Sequence, residues 1–159
     1  MDLLNAFTVS FFGHRDFNEY LKLEPYFENL LKDIISSHEY VDFLVGRNGE
    51  FDQFVSSTIR RLKRDYCSSN NSLICVLTHK TREYRNDPEA LFNYYDELQI
   101  HPIVPGIHHK ALINDRNENM IIRSHLVICY VKKTSGGAYT AMCLAKKHGC
   151  PVINLADYE

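Results

Sequence analysis

The chain lacks a charge excess of either sign: 18 Lys and Arg stand against 20 Asp and Glu, a formal net charge of −2 with histidine neutral. No global attraction to nucleic acid or to an anionic membrane follows from that balance, so phosphate recognition has to be local. Nucleic acid and membrane are therefore not expected as partners. No stretch approaches the ~18 apolar residues that a membrane-spanning helix requires. The opening residues, Met1 to Asn5, carry no basic segment and no long apolar run, so no secretory leader is expected. The five cysteines, Cys67, Cys75, Cys129, Cys143 and Cys150, are odd in number and form no CxxC pair. This pattern points to reduced thiols, mostly buried as small hydrophobes, in a cytoplasmic protein. Internal repeats, low-complexity segments and linkers are missing as well, and residues 1–159 read as one domain.

What is present is a series of short apolar runs. Phe7–Phe12, Asp42–Gly46, Leu73–Thr78, Leu126–Val131 and Val152–Leu155 are rich in Val, Ile and Phe without sustained alternation. Runs of that kind are strands covered on both faces. Helical spacing fills most of the intervals. Leu23, Phe27, Leu30, Leu31 and Ile34 form one apolar stripe, and Phe51, Phe54, Val55, Ile59 and Leu62 form another. A third helix is expected from about Lys110 to Arg123. A fourth presents Ala138, Ala141, Met142 and Ala145 and stops at Gly149-Cys150-Pro151. Strands alternating with helices predict an α/β, Rossmann-like three-layer fold with a mostly parallel sheet of about five strands. The interval from His79 to His109 is the exception. It holds Pro88, Pro102 and Pro105, and Asp87-Pro88-Glu89 predicts a brief helix through Glu97.

Two glycine turns follow strands. Gly13-His14-Arg15 follows the first, and Ser135-Gly136-Gly137-Ala138-Tyr139-Thr140 joins the Leu126–Val131 strand to a helix. Strand, glycine turn and helix start bring backbone N–H groups to an anion at the positive end of a helix. In an open parallel sheet both turns lie on the edge made by the strands' carboxyl ends, where ligands bind. The expected ligand is phosphorylated.

Several residues carry the resemblance to a known family. Gly13-His14-Arg15 looks like the Gly-x-Arg turn of the Smf/DprA and LOG superfamily, called SLOG. Gly46 with Phe51 and Asp52 resembles its Gly-x-Ala-x-Gly-[Ile/Val]-Asp element, with Asn48 and Glu50 replacing the Ala and a Gly. Asp115 to Met120 resembles its Arg-[Asn/Lys]-x-x-Met segment, and Ser135 to Thr140 its glycine turn. These elements stand in the superfamily's order and span nearly the whole chain, which resembles its small single-domain bacterial members. The resemblance implies a homodimer and a nucleotide-derived ligand. LOG phosphoribohydrolases carry Pro-Gly-Gly-x-Gly-Thr-x-x-Glu with a catalytic Glu. Aligned on Gly136-Gly137, this chain has Ser135 for the Pro, Tyr139 for the third Gly and Cys143 for the Glu.

The expected binding surface is Gly13, His14, Arg15, Gly46, Asp52, Arg116, Asn117, Ser135, Gly136, Gly137 and Thr140. Arg15 has the bidentate fork for phosphate, or it pairs with Asp16 or Asp52. Arg116 and Asn117 contact phosphate and ribose, or they brace helix to sheet. Asp52 binds a ribose hydroxyl, orients Arg15, or caps its helix. Tyr94, Tyr95 and Asp96 read a base or form a small core under the insertion. His101, His108 and His109 lack a Cys or carboxylate at consistent spacing, so no metal is expected, and no cofactor either. The function expected is binding or sensing of a nucleotide-derived phosphorylated small molecule at the carboxyl edge. An N-glycosidic hydrolase with a relocated acid, of which Glu50 is the nearest candidate, is the alternative. DprA-like binding of single-stranded DNA is the second alternative.

Overall fold

The computed structural model describes residues 5–66, 68–79, 81–101, 106 and 108–158. Cys67, Pro102, Pro105 and the first four residues lie outside the described residues. Six strands form one sheet: β1 (Phe7–Gly13), β2 (Val41–Val45), β3 (Asn71–Leu77), β4 (Glu97–Ile100), β5 (Leu126–Tyr130) and β6 (Val152–Asn154). Their order is β4-β3-β2-β1-β5-β6, and every pairing is parallel. The fold is therefore α/β and Rossmann-like, with one more strand than the apolar runs predicted.

The extra strand corrects the helix expected through Glu97. Two short helices, α3 (Arg82–Asn86) and α4 (Pro88–Tyr94), come first, and the chain then pairs along β3. Glu97-Leu98-Gln99-Ile100 alternates polar and apolar because it is an edge strand with one neighbour, so it never forms a continuous apolar run. Asp96 secures the turn into it by accepting from Leu73 N at 2.7 Å.

Helices α1 (Tyr20–Ser37) and α2 (Glu50–Asp65) cover one face of the sheet. Leu23, Phe27, Leu31 and Ile34 of α1 meet Phe51, Phe54, Val55, Ile59 and Leu62 of α2 over Val9, Phe11, Phe43 and Cys75. On the other face, α5 (His109–Ile122) and α6 (Gly137–Lys147) close a smaller core around Leu44, Ile74, Val76, Met120, Val127 and Cys129. Ala141 and Ala145 are the buried residues of α6, and their size lets it lie close to the sheet. Cys143, on the same helix and counted among thiols expected to be mostly buried, is instead exposed. Two residues along a helix rotate a side chain by about 200°, which turns position 143 away from the stripe of 141 and 145. Cys75 and Cys129 are buried, and burial pushes both thiols up to about 12.

The topology reverses between β1 and β5. From β1 the chain steps outward through β2, β3 and β4, then returns through α5 to lay β5 on the opposite side of β1. Such a switch point leaves a crevice beyond the carboxyl ends of the two strands. Among the described residues, no helix is long and apolar enough to cross a membrane.

Candidate functional site

The crevice at this switch point is a cleft of about 730 Å³. Every residue of the expected binding surface lines it: Gly13, His14, Arg15, Gly46, Asp52, Arg116, Asn117, Ser135, Gly136, Gly137 and Thr140. They come from the ends of β1 and β2, the first turn of α2, the middle of α5 and the start of α6. Gly13 and Gly136 thus share one edge of the sheet.

One wall is the β5–α6 turn. Gly136 is the N-cap of α6 with φ of 95°, in the left-handed region that favours glycine. No side chain caps the helix, so its first N–H groups are open toward the cleft. Thr140 Oγ1 donates back to Gly136 O at 3.0 Å, which spends its proton inside the turn. The start of α2 is different. Its Glu50 N–H donates to Arg15 O at 2.8 Å, and Glu50 Oε2 accepts from Phe17 N at 2.8 Å. That end of α2 therefore holds the chain's own Arg15–Phe17 loop. Glu50 is occupied there and does not line the cleft.

His14 ties the two glycine turns together. Its Nε2 accepts from Lys132 N at 3.0 Å and from Lys133 N at 3.4 Å, which requires a neutral ring protonated at Nδ1. Burial, and then the Lys133 charge, lower its pKa below the ordinary histidine value. Its role at the cleft is thus as a strut between loops, with the ring edge-on to Tyr130.

The inner end of the cleft is built around Arg116, which is only 4% exposed. Its Nε and NH2 donate to Asn117 Oδ1 at 3.3 and 3.0 Å, and NH1 donates to Val76 O at 3.4 Å. The Asn48 amide, turned with its oxygen inward, accepts from NH2 at 2.7 Å and NH1 at 3.1 Å. The brace from helix to sheet is real, and every acceptor in it is neutral. Among the described residues no carboxylate lies within ion-pair distance of Arg116; Asp52 acts on it only through space. A buried charge held by neutral acceptors lacks its counter-ion. Asp52, at the third position of α2, reaches back to accept from Asn48 N at 2.9 Å, in the manner of a capping residue. Burial raises its pKa, opposed by that N–H and by Arg116.

The outer rim carries Arg15, Lys110 and Lys133. None of these side chains has a hydrogen-bond or ion-pair partner among the described residues. The pairing of Arg15 with Asp16 or Asp52 does not occur. Lys110, Ile113, Asn114 and Lys133 were not foreseen. The signal for the first three is helical spacing, since positions 110, 113, 114 and 117 share one face of α5 with Asn117. Lys133 lies between a strand end and a glycine turn, hence on the carboxyl edge.

Tyr94, Tyr95 and Asp96 stand away from the cleft. Tyr95 is buried with its hydroxyl accepting from Arg47 NH1 at 2.7 Å, Arg60 stacks 4.0 Å over Tyr94, and Asp96 pairs with Lys63 at 2.7 Å. Tyr95 belongs to the main core beneath α1 and α2 with Tyr94 packed against it, and Asp96 is exposed, so the three residues form neither a base-reading site nor a separate small core. His101 pairs with Asp115 at 2.7 Å, His108 caps α5, and no cluster of metal-ligating side chains occurs among the described residues.

No family model matches the chain, and no curated protein matches it in sequence. Among solved structures it is similar to DNA processing protein A from Helicobacter pylori, with a TM-score of 0.63 and 15% sequence identity. The match covers 94% of this chain and 66% of that one, so the chain spans just under two thirds of its neighbour's length. At this identity the likeness establishes the fold alone. The neighbour's structure concerns its single-stranded DNA binding mode. That finding corrects the expectation that nucleic acid is not a partner. Net charge was the wrong quantity, because unpaired cations here are gathered at one cleft.

Proposed function

We propose that the cleft binds the sugar–phosphate unit of a nucleotide, and that single-stranded DNA supplies it. One observation carries the phosphate reading: Arg15, Lys110 and Lys133, all without carboxylate partners among the described residues, ring a cleft that also holds the uncapped start of α6. Helix-start N–H groups, the Arg fork and the Lys ammonium are the groups that hold phosphate. The shared fold with a protein that binds single-stranded DNA, over 94% of this chain, supports a strand as the source. Together with the ordered superfamily-like elements, it also supports membership of the Smf/DprA and LOG superfamily.

Base stacking contributes little in this reading. The aromatic rings that line the cleft, Phe11 and Phe12, are buried, so recognition rests on phosphate and sugar rather than on the stacking usual for single strands. A second reading, a free nucleotide-derived small molecule, is favoured by the closed inner end around Arg116 and by a volume of about 730 Å³, which suits a compact ligand.

Fluorescence anisotropy of a labelled thymidine oligomer, with adenosine monophosphate as competitor, tests both. Binding should weaken with salt at a log–log slope of about −2 for three phosphate-contacting cations. Displacement by the mononucleotide at comparable concentration favours the second reading, and its failure to compete favours the strand. Binding that survives Lys110→Ala with Lys133→Ala unchanged would remove the cleft from both.

A further inference from the structure

The residues just before and at the start of α2 press against the loop after β1 more closely than side chains allow. A Cβ built on Gly49 would stand 2.5 Å from Arg15 Cα and 3.0 Å from Arg15 Cβ and Cγ. Gly49 is extended, with φ of −175°, a conformation open to any residue. Its missing side chain therefore serves the close approach to Arg15 and not a backbone demand.

Glu50 fastens the same loop with two hydrogen bonds. Its N–H donates to Arg15 O at 2.8 Å, and its Oε2 accepts from Phe17 N at 2.8 Å. Phe17 is itself an anchor, buried against the rings of Phe51, Phe54 and Tyr130. On the other flank His14 accepts from Lys132 N and Lys133 N. The backbone of Arg15 is thus held from both sides and from α2. Its side chain stands exposed at the cleft, with no hydrogen-bond or ion-pair partner among the described residues. Fixing the backbone of a long cationic side chain lowers the ordering cost of every contact it makes with a ligand.

The sign of the Glu50 charge separates this role from a direct one. Glu50 does not line the cleft, and a carboxylate in the neighbourhood of an anion site repels the anion. Acting through its charge, Glu50 would weaken phosphate binding; acting through the loop, it strengthens binding.

We propose that Gly49 and Glu50 are positioning residues for Arg15, fixing its backbone so that the guanidinium meets the phosphate of a bound nucleotide. The role rests on the nucleotide reading above and gives two residues outside the cleft a share in its affinity.

The probes are a labelled thymidine oligomer, read by fluorescence anisotropy, and adenosine monophosphate, read by isothermal titration calorimetry. The one that wild type binds more tightly is carried through the variants. Arg15→Ala should weaken binding about tenfold or more, the loss of a hydrogen bond between charged groups. Glu50→Ala should weaken it about three- to tenfold, the cost of ordering a freed side chain. Glu50 is exposed, so this truncation leaves both cores intact. Glu50→Gln removes the charge but keeps an oxygen for Phe17 N, and it should bind as wild type or more tightly. In an Arg15→Ala background Glu50→Ala should cost nothing further, because its effect passes through Arg15. Gly49→Ala should weaken binding in the same way, but its methyl also strains the fold, so Glu50 decides. Glu50→Ala binding as tightly as wild type overturns the positioning role and leaves the nucleotide reading standing. A Glu50→Gln variant as weak as Glu50→Ala overturns the role too, as does an undiminished loss in the Arg15→Ala background. No binding of either probe by wild type overturns the nucleotide reading and the positioning role with it.

Discussion

A Cβ on Gly13 would stand 2.2 Å from the ring of Phe51 and 2.6 Å from Phe51 Cβ, so the end of β1 and the first turn of α2 touch through a missing side chain. Phe51 is fully buried and stacks on Tyr130, and its Cβ cannot swing aside without moving α2. Gly13→Ala should therefore cost about 1–3 kcal/mol of stability, the range of overpacking. Chemical denaturation of the two proteins checks it. A midpoint unchanged by the substitution would show that α2 yields freely.

The His14 strut predicts a pH dependence. Its folded pKa is lowered by burial and by Lys133, so between that value and the unfolded value of about 6.5 the unfolded chain binds more protons. Stability is then full above pH ~6.5 and falls as pH drops through the window down to the folded pKa. Between about pH 7.5 and about pH 5 the melting temperature of wild type should fall further than that of His14→Gln, with carboxylate effects common to both. Parallel curves would mean that the strut carries no linkage.

The glycine turn yields two distinct outcomes. Gly136 has φ of 95°, so any substitution there strains the backbone, by roughly 1–2 kcal/mol, and confounds a binding test. Gly137 has no such constraint, and a Cβ on it meets nothing within 4 Å. Gly137→Val should leave the melting temperature close to wild type while weakening nucleotide binding by about tenfold or more, since side-chain bulk then stands where phosphate approaches the helix start. Thermal shift with and without adenosine monophosphate measures both quantities.

Hydrolysis of the N-glycosidic bond is not expected. Cys143, which the resemblance aligns with the LOG glutamate, is exposed and does not line the cleft, and Glu50 is engaged with Phe17 N outside it. Asp16 and Asp52 are the carboxylates that remain in the cleft. Chromatography of adenosine monophosphate after long incubation should show no free adenine. Release abolished by Asp52→Asn would make Asp52 an acid catalyst and the protein an enzyme.

Much of the site was legible because of one geometric rule. In a parallel sheet every strand's carboxyl end falls on the same edge, so Gly13, Gly46 and Ser135 could be placed together once β1, β2 and β5 were read as apolar runs. Strand β4 was hidden because an edge strand of four residues neither runs apolar nor alternates long enough to register. The strut of His14 was hidden for another reason: its partners are backbone N–H groups more than a hundred residues away, which no side-chain pattern records. Arg116 and Asn117 were legible as functional candidates, but not as buried polar residues on a helix with no clear apolar face. The exposure of Cys143 follows from its place two residues from each of the buried Ala141 and Ala145, on the other side of the helix.

Nucleotide phosphate and sugar are expected to meet the protein at the cleft where β1 and β5 part. The direct test is a ¹⁵N–¹H correlation spectrum of labelled protein titrated with adenosine monophosphate and, separately, with a short thymidine oligomer. The largest shifts are expected at the amides of Gly136, Gly137 and Ala138, at Arg15, and at the Arg116 and Asn117 side chains. Shifts confined to the hollow lined by Tyr20, Arg47 and Tyr94, beside α1 and α2, would contradict that placement, as would no shifts with either ligand.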